Sequence, residues 1–272
     1  MSERPVVEPG QRVIFAMGGG GFTMEPNNPL LDVFILTLSP RPTPRILFLP
    51  TAAGDPNAQI NAFHERFADR ACVPTSLSLF RLGGMTRSLA EIVAEQDIVY
   101  TGGGSMRNLL AIWRAHHLDA ILVDAWQRGT VLAGLSAGAM CWFSGGISRS
   151  SGAPEVIAGL GLLPGSLTVH ADGEPDRLPV WLEAIRDGEL PGGWAADDGV
   201  GLHFRGEQLE RVVSSRPGAS ALRVDAVDGE LVRARVTPEL LGAESTSLLA
   251  PDEDVRELRR VHRFRQGSGG YR

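Results

Sequence analysis

The sequence contains no lysine, so all 26 of its basic residues are arginines, a bias we attribute to genomic base composition rather than to function. Only two cysteines occur, Cys72 and Cys141, and such isolated thiols exclude a disulfide framework and a cysteine-based metal site. The net charge is -6 and the arginines form no basic stripe. Nucleic acid is therefore not an expected partner.

Long apolar segments are also missing. No stretch approaches the about 20 apolar residues that span a bilayer. Residues 1–5 do not begin the basic and then apolar pattern of a secretion leader. We therefore expect no membrane partner, and we predict a cytoplasmic location.

The composition that remains is that of a globular domain, with 43% hydrophobic and 21% charged residues. From residue 12 to residue 135, short apolar runs alternate with helical patterns. This alternation predicts an α/β fold with a mostly parallel sheet that helices cover on both faces. We expect a loose segment over residues 1–11, one domain over 12–236 and a charged tail over 237–272, with a helix at 252–262.

One stretch stands out within this pattern. The apolar run 131–133 leads into Gly134-Leu-Ser-Ala-Gly138, and helix-forming residues follow. The string G-x-S-x-G is typical of a nucleophile elbow, a sharp strand-to-helix turn that exposes a serine hydroxyl and a free N–H group. The alternative is a turn in which small residues only pack closely. The strand before it and the helix after it favour the elbow, with Ser136 at its tip.

Two more glycine-rich loops follow predicted strands, at 18–21 and at 102–104. Ligands bind beyond the carboxyl ends of the strands in such sheets, so these loops and the elbow are expected to converge. A phosphate-binding role for residues 102–104 is the alternative. The loop lacks the G-x-G-x-x-G spacing and the later acidic residue of dinucleotide sites, which argues against that role.

A serine nucleophile needs a base within hydrogen-bonding reach. Of the six histidines, only His170 lies at the end of a strand after the elbow, at the start of a polar turn over residues 171–177. The alternative is an ordinary surface histidine in a turn. Its position relative to the elbow favours His170 as the base.

Four motifs in order resemble the peptidase E family of serine peptidases (S51), which includes aspartyl dipeptidase and, more distantly, cyanophycinase. In chain order they are Leu49-Pro-Thr-Ala-Ala-Gly-Asp55, Tyr100-Thr-Gly-Gly-Gly104, the elbow at 134–138 and the turn from His170 to Arg177. The resemblance covers residues 12–224. It implies a three-layer α/β/α sandwich similar to class I glutamine amidotransferases, with serine in place of their nucleophilic cysteine.

The resemblance also implies roles for individual residues. Ser136 matches the nucleophile and His170 the general base. The backbone N–H groups of Ala137 and Gly103 match the oxyanion hole, the pair of donors that stabilises the charge of the tetrahedral intermediate. This chemistry requires no metal and no other cofactor.

A carboxylate must orient the histidine and stabilise its cation. Relatives carry this acid either shortly after the elbow, where this chain has Arg149, or in a later turn that matches residues 197–199. We therefore predict Asp198 as the acid, with Asp197 as the second choice. The alternative for this pair is an ordinary hairpin turn, for which Asp-Gly is typical.

Aspartyl dipeptidases act on dipeptides with an N-terminal aspartate, and arginine suits a bidentate carboxylate clamp. Arg177 is the predicted clamp, and Arg149 and Arg107 are further candidates. Gly104 and Ser105 are predicted to line the pocket. The family often has Asn-Thr or Ser-Thr after the glycines and Pro-His-Tyr around the base. This chain has Ser105-Met106 and an alanine after His170, which leaves the substrate open.

The sequence thus predicts a serine hydrolase that cleaves a short peptide with an acidic N-terminal residue through an acyl-enzyme. A monomer or a homodimer is expected. Two alternatives stay open: a non-catalytic relative that binds a peptide or an acidic metabolite, and an amidase or esterase on the same scaffold.

Overall fold

The computed structural model describes residues 4–242, and this part of the chain forms two β-sheets with helices around them. The strands are β1 Val13–Met17, β2 Arg45–Leu49, β3 Val73–Ser76, β4 Ile98–Thr101, β5 Val131–Leu135, β6 Phe143–Ser148, β7 Glu155–Ala158, β8 Leu163–Val169, β9 Gly193–Ala196, β10 Val200–Arg205, β11 Gln208–Ser214, β12 Ala221–Val227, β13 Glu230–Val236 and β14 Glu239–Leu240. The α-helices are α1 Gly21–Met24, α2 Leu30–Thr37, α3 Asn57–Phe67, α4 Leu89–Ala94, α5 Met106–Ala115, α6 Leu118–Gln127, α7 Ala137–Met140 and α8 Arg177–Arg186.

The larger sheet has the order β14-β11-β10-β1-β5-β4-β2-β3. Its centre is parallel, because β1, β5, β4, β2 and β3 all run in one direction, and β10 joins β1 antiparallel. The predicted α/β fold with a mostly parallel sheet is confirmed. The carboxyl ends of β1, β4 and β5 meet at one edge, which is where ligands bind in such sheets.

Both faces of this sheet are buried, which explains why its strands are continuous apolar runs. Along β1, Val13, Phe15 and Met17 face a core shared with α1, α2 and α3. Ile14 and Ala16 face the opposite core, which includes residues of α4, α5, α6 and α7. The arrangement is the predicted three-layer α/β/α sandwich.

The second sheet, of order β13-β12-β9-β8-β6-β7, was not predicted. Its strands β6, β8 and β9 are parallel to one another, and Phe143, Leu167 and Ala196 join the core on the α4–α7 side. Its other face packs on α8 through Trp181 and Ile185. Two parallel strands of this sheet, β8 and β9, end beside the carboxyl ends of the larger sheet.

The structure adds three details to the predicted organisation. Residues 4–11 are not loose: Arg4 forms an ion pair with Asp97 at 2.8 Å, and residues 9–11 form a 3₁₀ turn. The predicted tail begins with β14, which pairs with β11. The helix after the elbow is only four residues long, because β6 starts soon after it. The helix predicted at 252–262 lies outside the described residues.

Within residues 4–242, we find no helix with the length and apolar character needed to cross a membrane.

Candidate active site

Ser136 occupies the sharp turn between β5 and α7, with φ 54° and ψ -114°. A positive φ is unusual for a residue with a side chain and marks a strained position. The turn is held by the Ser136 N–H group, which donates to the carbonyl of Met17 over 3.0 Å, and by its carbonyl, which accepts from Ala139 and Met140. A β-carbon on Gly134 would overlap the carbonyl of Gly138, so the elbow needs glycine there.

His170 follows β8 and also has a positive φ, of 54°. Its Nε2 lies 2.9 Å from Ser136 Oγ. Its N–H group donates to the carbonyl of Gly18, and its own carbonyl accepts from Gly173 and Glu174. The imidazole thus comes from the second sheet and is anchored to the glycine loop that follows β1.

Asp198 completes a Ser–His–Asp arrangement. Its Oδ1 lies 2.5 Å from His170 Nδ1, and both side chains are mostly buried. With the Nδ1 proton donated to Asp198, Nε2 is left to accept the hydroxyl of Ser136. Asp197 does not contact the imidazole: its Oδ2 accepts from the N–H group and hydroxyl of Ser220. The second choice for the acid is therefore corrected, and the turn places only Asp198 against the base.

The glycine loop after β4 reaches the nucleophile. A β-carbon on Gly103 would lie 3.3 Å from the β-carbon of Ser136. Within residues 4–242, the N–H groups of Gly103 and Ala137 have no hydrogen-bond acceptor, so both are available to an oxyanion. Gly104 has φ 142° and packs against the carbonyl of Ala52, and Ser105 caps α5 by accepting from the N–H group of Asn108.

The three predicted substrate arginines already have carboxylate partners, and Arg107 pairs with Glu155 at 2.7 Å. The Arg177 side chain is only 8% exposed and donates to Glu174 Oε2 at 2.7 Å and to the carbonyl of Ile147 at 2.5 Å. Arg149 is 38% exposed and lies 3.4 Å from Glu174 and 3.2 Å from Asp176. Arg177 is thus already engaged by other groups of the chain, whereas Arg149 has longer contacts and more exposure.

Charges around the acid keep it ionised. Burial raises the pKa of Asp198, but the hydrogen bond and charge of His170 and the charges of Arg216 and Arg177 outweigh it and hold the pKa below its ordinary value. For Glu174, burial is likewise outweighed, chiefly by Arg177, and the pKa is lowered. Asp198 is therefore suited to stabilise an imidazolium.

Three residues that contact the triad were not recognised from the sequence. Gly19 lies against the contact between Asp198 and His170, since a β-carbon there would overlap the carboxylate and lie 2.9 Å from Nδ1. Asp172 accepts from the N–H group of Asp198, and Arg216 donates to its carbonyl. Only the glycine-rich string 18–21 could have pointed to Gly19. No local signal marks the other two.

In the described part of the chain, no group of three or more histidine, cysteine, aspartate or glutamate side chains is placed to hold a metal ion.

A partly buried serine–histidine–aspartate set beside free backbone N–H groups, at the carboxyl edge of a parallel sheet, defines the class of serine hydrolases that act by acyl transfer. The profile of Peptidase family S51 matches residues 14–212. The chain belongs to this family and is a serine-type peptidase.

Similar proteins agree with this assignment. The chain is 47% identical over 229 residues to the uncharacterized peptidase YgaJ of Bacillus subtilis (strain 168), over 84% of this chain and 99% of the relative. A crystal structure of a peptidase from an acI-B1 Actinobacterium has a TM-score of 0.59 at 19% identity and covers 83% of this chain and 94% of its own. A putative peptidase E protein from Listeria monocytogenes EGD-e has a TM-score of 0.52 at 14% identity, over 83% and 99%. At these identities the two structures establish a shared fold.

Proposed function

We propose that this peptidase cleaves short peptides through an acyl-enzyme on Ser136. The carrying observation is the unbroken chain of contacts from Ser136 Oγ to His170 Nε2 at 2.9 Å and from His170 Nδ1 to Asp198 at 2.5 Å. Such a chain activates a hydroxyl that is otherwise a poor nucleophile at neutral pH. It favours an enzyme over a relative that only binds peptide.

In this mechanism Ser136 Oγ attacks the scissile carbonyl carbon while His170 Nε2 takes the hydroxyl proton. The carbonyl oxygen becomes an oxyanion that accepts from the N–H groups of Gly103 and Ala137. Collapse of the intermediate breaks the C–N bond, and His170 gives its proton to the leaving amine. Water then attacks the acyl ester with the same base, which frees Ser136. Asp198 holds the imidazole and stabilises its positive charge throughout.

We further propose that the preferred substrate is a dipeptide with an acidic N-terminal residue. Arg177 already donates hydrogen bonds to Glu174 and to the carbonyl of Ile147. We therefore assign recognition of the acidic side chain to Arg149. Its contacts, of 3.2 Å with the exposed Asp176 and 3.4 Å with the partly exposed Glu174, are those of a weak surface pair, which a substrate carboxylate can replace at small cost.

Hydrolysis of a dipeptide panel tests both proposals. Ser136→Ala should abolish cleavage, whereas Ser144→Ala, an exposed serine on β6, should cleave at the wild-type rate. Cleavage that survives Ser136→Ala would overturn the assignment of the nucleophile. An active enzyme that prefers esters or non-peptide amides over every dipeptide would point to the amidase or esterase alternative.

A second set of variants tests the preference for an acidic N-terminal residue. Arg149→Gln should lower kcat/KM for Asp-X relative to Asn-X by about 10-fold or more, the effect expected for a lost charge-assisted contact. Arg205→Gln, an exposed arginine paired with Glu210, is the matched control. A wild-type ratio of kcat/KM for Asp-X to Asn-X that is close to one contradicts the acidic preference, and a ratio that Arg149→Gln leaves unchanged contradicts the role of Arg149. Either result leaves the acyl-enzyme proposal intact.

A further inference from the structure

The backbone of the proposed catalytic acid is held by a residue beyond the stretch that matches the family profile, which ends at residue 212. Arg216 follows β11, and its Nε donates to the carbonyl of Asp198 over 2.7 Å. We propose that Arg216 is a positioning residue that, together with Asp172, clamps the Asp198 peptide and holds its carboxylate against His170. This inference rests on the catalytic roles proposed above.

Asp172 provides the other half of the clamp. Its Oδ1 accepts from the N–H group of Asp198 over 2.8 Å, while its Oδ2 lies 3.5 Å from Arg216 Nη2. Both polar groups of the Asp198 backbone are therefore held by charged side chains, and such hydrogen bonds are stronger than neutral ones. Because Asp172 lies two residues after His170, the clamp joins the turn that carries the base to the turn that carries the acid.

Arg216 is itself fixed by its own loop. Its N–H group donates to Ser214 Oγ at 3.2 Å, and the Ser214 hydroxyl donates back to the Arg216 carbonyl at 2.8 Å. Ser215 donates through its N–H group to Gly199 and through its hydroxyl to Glu25, whose other carboxylate oxygen lies 3.9 Å from Arg216 Nε. A β-carbon on Gly199 would lie 2.8 Å from Nε, so glycine is required for the guanidinium to reach this turn.

The charge of Arg216 supports the same role as its hydrogen bonds to the Asp198 turn. Arg216 Nη2 lies 3.7 Å from Asp198 Oδ2, and its charge helps to keep that carboxylate ionised. The other charged or titratable groups that face Asp198 are His170, Asp172 and Arg177. Without Arg216 the negative charge of Asp198 is less compensated, so the pKa of its carboxyl group is held down less. Arg216 is 40% exposed, so solvent screens part of this effect.

The test is the second-order rate of Ser136 labelling by a fluorophosphonate, measured from pH 5 to pH 9 on the full chain. Arg216→Gln should label about 10- to 100-fold more slowly, the cost of a triad held about 1 Å out of place. The acidic limb of its pH profile should move to higher pH. Arg216→Lys should restore the position of that limb but only part of the rate, because an ammonium cannot reach the carbonyl and Asp172 together. Arg205→Gln, an exposed arginine paired with Glu210, is the control.

The outcomes separate this inference from the proposed function. If the wild type labels at Ser136 and Arg216→Gln labels within twofold of Arg205→Gln with an unmoved acidic limb, the positioning role is overturned. If the wild type does not label at Ser136, the proposed nucleophile fails. If Arg216→Gln does not fold, the labelling rate of Arg216→Lys is compared with that of the wild type. An equal rate contradicts the clamp, and a reduced rate with the acidic limb at the wild-type pH supports it.

Discussion

Gly19 offers the sharpest steric test of the triad. A β-carbon built there overlaps Asp198 Oδ1 and lies 2.7 Å from the carboxyl carbon, against the 3.4 Å at which ordinary van der Waals contact begins. The carboxyl group therefore has to retreat by several tenths of an ångström or more. The same β-carbon lies 2.9 Å from His170 Nδ1, so the single added methyl group enters the contact between acid and base.

Gly19→Ala should therefore lower kcat by about 10³-fold, approaching the about 10⁴-fold loss seen when such an acid is disabled. KM should change little, because the methyl group lies on the side of the imidazole away from Ser136. Gly83→Ala is the matched control, since nothing lies within 4 Å of its β-carbon. Both variants can be compared by dipeptide hydrolysis and by thermal unfolding.

A double variant decides whether Gly19 acts through the acid. If it does, Gly19→Ala combined with Asp198→Asn should be no slower than Asp198→Asn alone, because residues that act as a unit are not additive. A Gly19→Ala enzyme that keeps kcat within threefold of Gly83→Ala would refute the reasoning. A double variant that is slower than the wild type by the product of the two single effects would also refute it, because the two residues would then act independently.

Two further predictions follow from the buried carboxylates. Asp198→Asn should lower kcat by about 10⁴-fold with an unchanged melting temperature, because the amide favours the wrong imidazole tautomer; a loss below tenfold in hydrolysis assays contradicts its role. Burial raises the pKa of Asp32 from 3.8 to about 7 against the opposing charge of Arg66, so the folded state holds a proton that the unfolded state releases. Stability should fall as pH rises through this window, by about 3 kcal/mol between pH 5 and pH 8. Urea unfolding should show this slope in the wild type and not in Asp32→Asn, and equal slopes would refute it.

The sequence predicts the first half of the fold well, and the physical reason is burial on both faces. β1 and β5 are short apolar runs, with Gly18 directly after β1 and Gly134 near the end of β5, and such runs are consistent with strands buried on both faces. In β6 the run Phe143-Ser-Gly-Gly-Ile-Ser148 is interrupted by two glycines and resembles a loop. Gly146 is glycine because a β-carbon there would overlap the carbonyl of Leu167 on the neighbouring strand. A close approach of two backbones leaves no separate mark in the sequence.

For the candidate site, too, only the features with a local sequence pattern could be predicted. The elbow and the position of His170 after a strand are local patterns, so Ser136 and its base could be predicted. The choice between Asp197 and Asp198 depends on which of two neighbouring side chains in the turn between β9 and β10 faces the imidazole, and the sequence of the turn does not show this. The engagement of Arg177 by Glu174 depends on the turn that brings them together.

The most direct measurement is the location of the covalent adduct that a fluorophosphonate forms with the folded, full-length protein. Mass spectrometry of the digested protein should find one adduct, on the peptide that contains Ser136. Replacing His170 with alanine should slow its formation by about 10³-fold or more, as expected when an activating base is lost. An unmodified wild-type protein, or an adduct on another residue, would contradict the account.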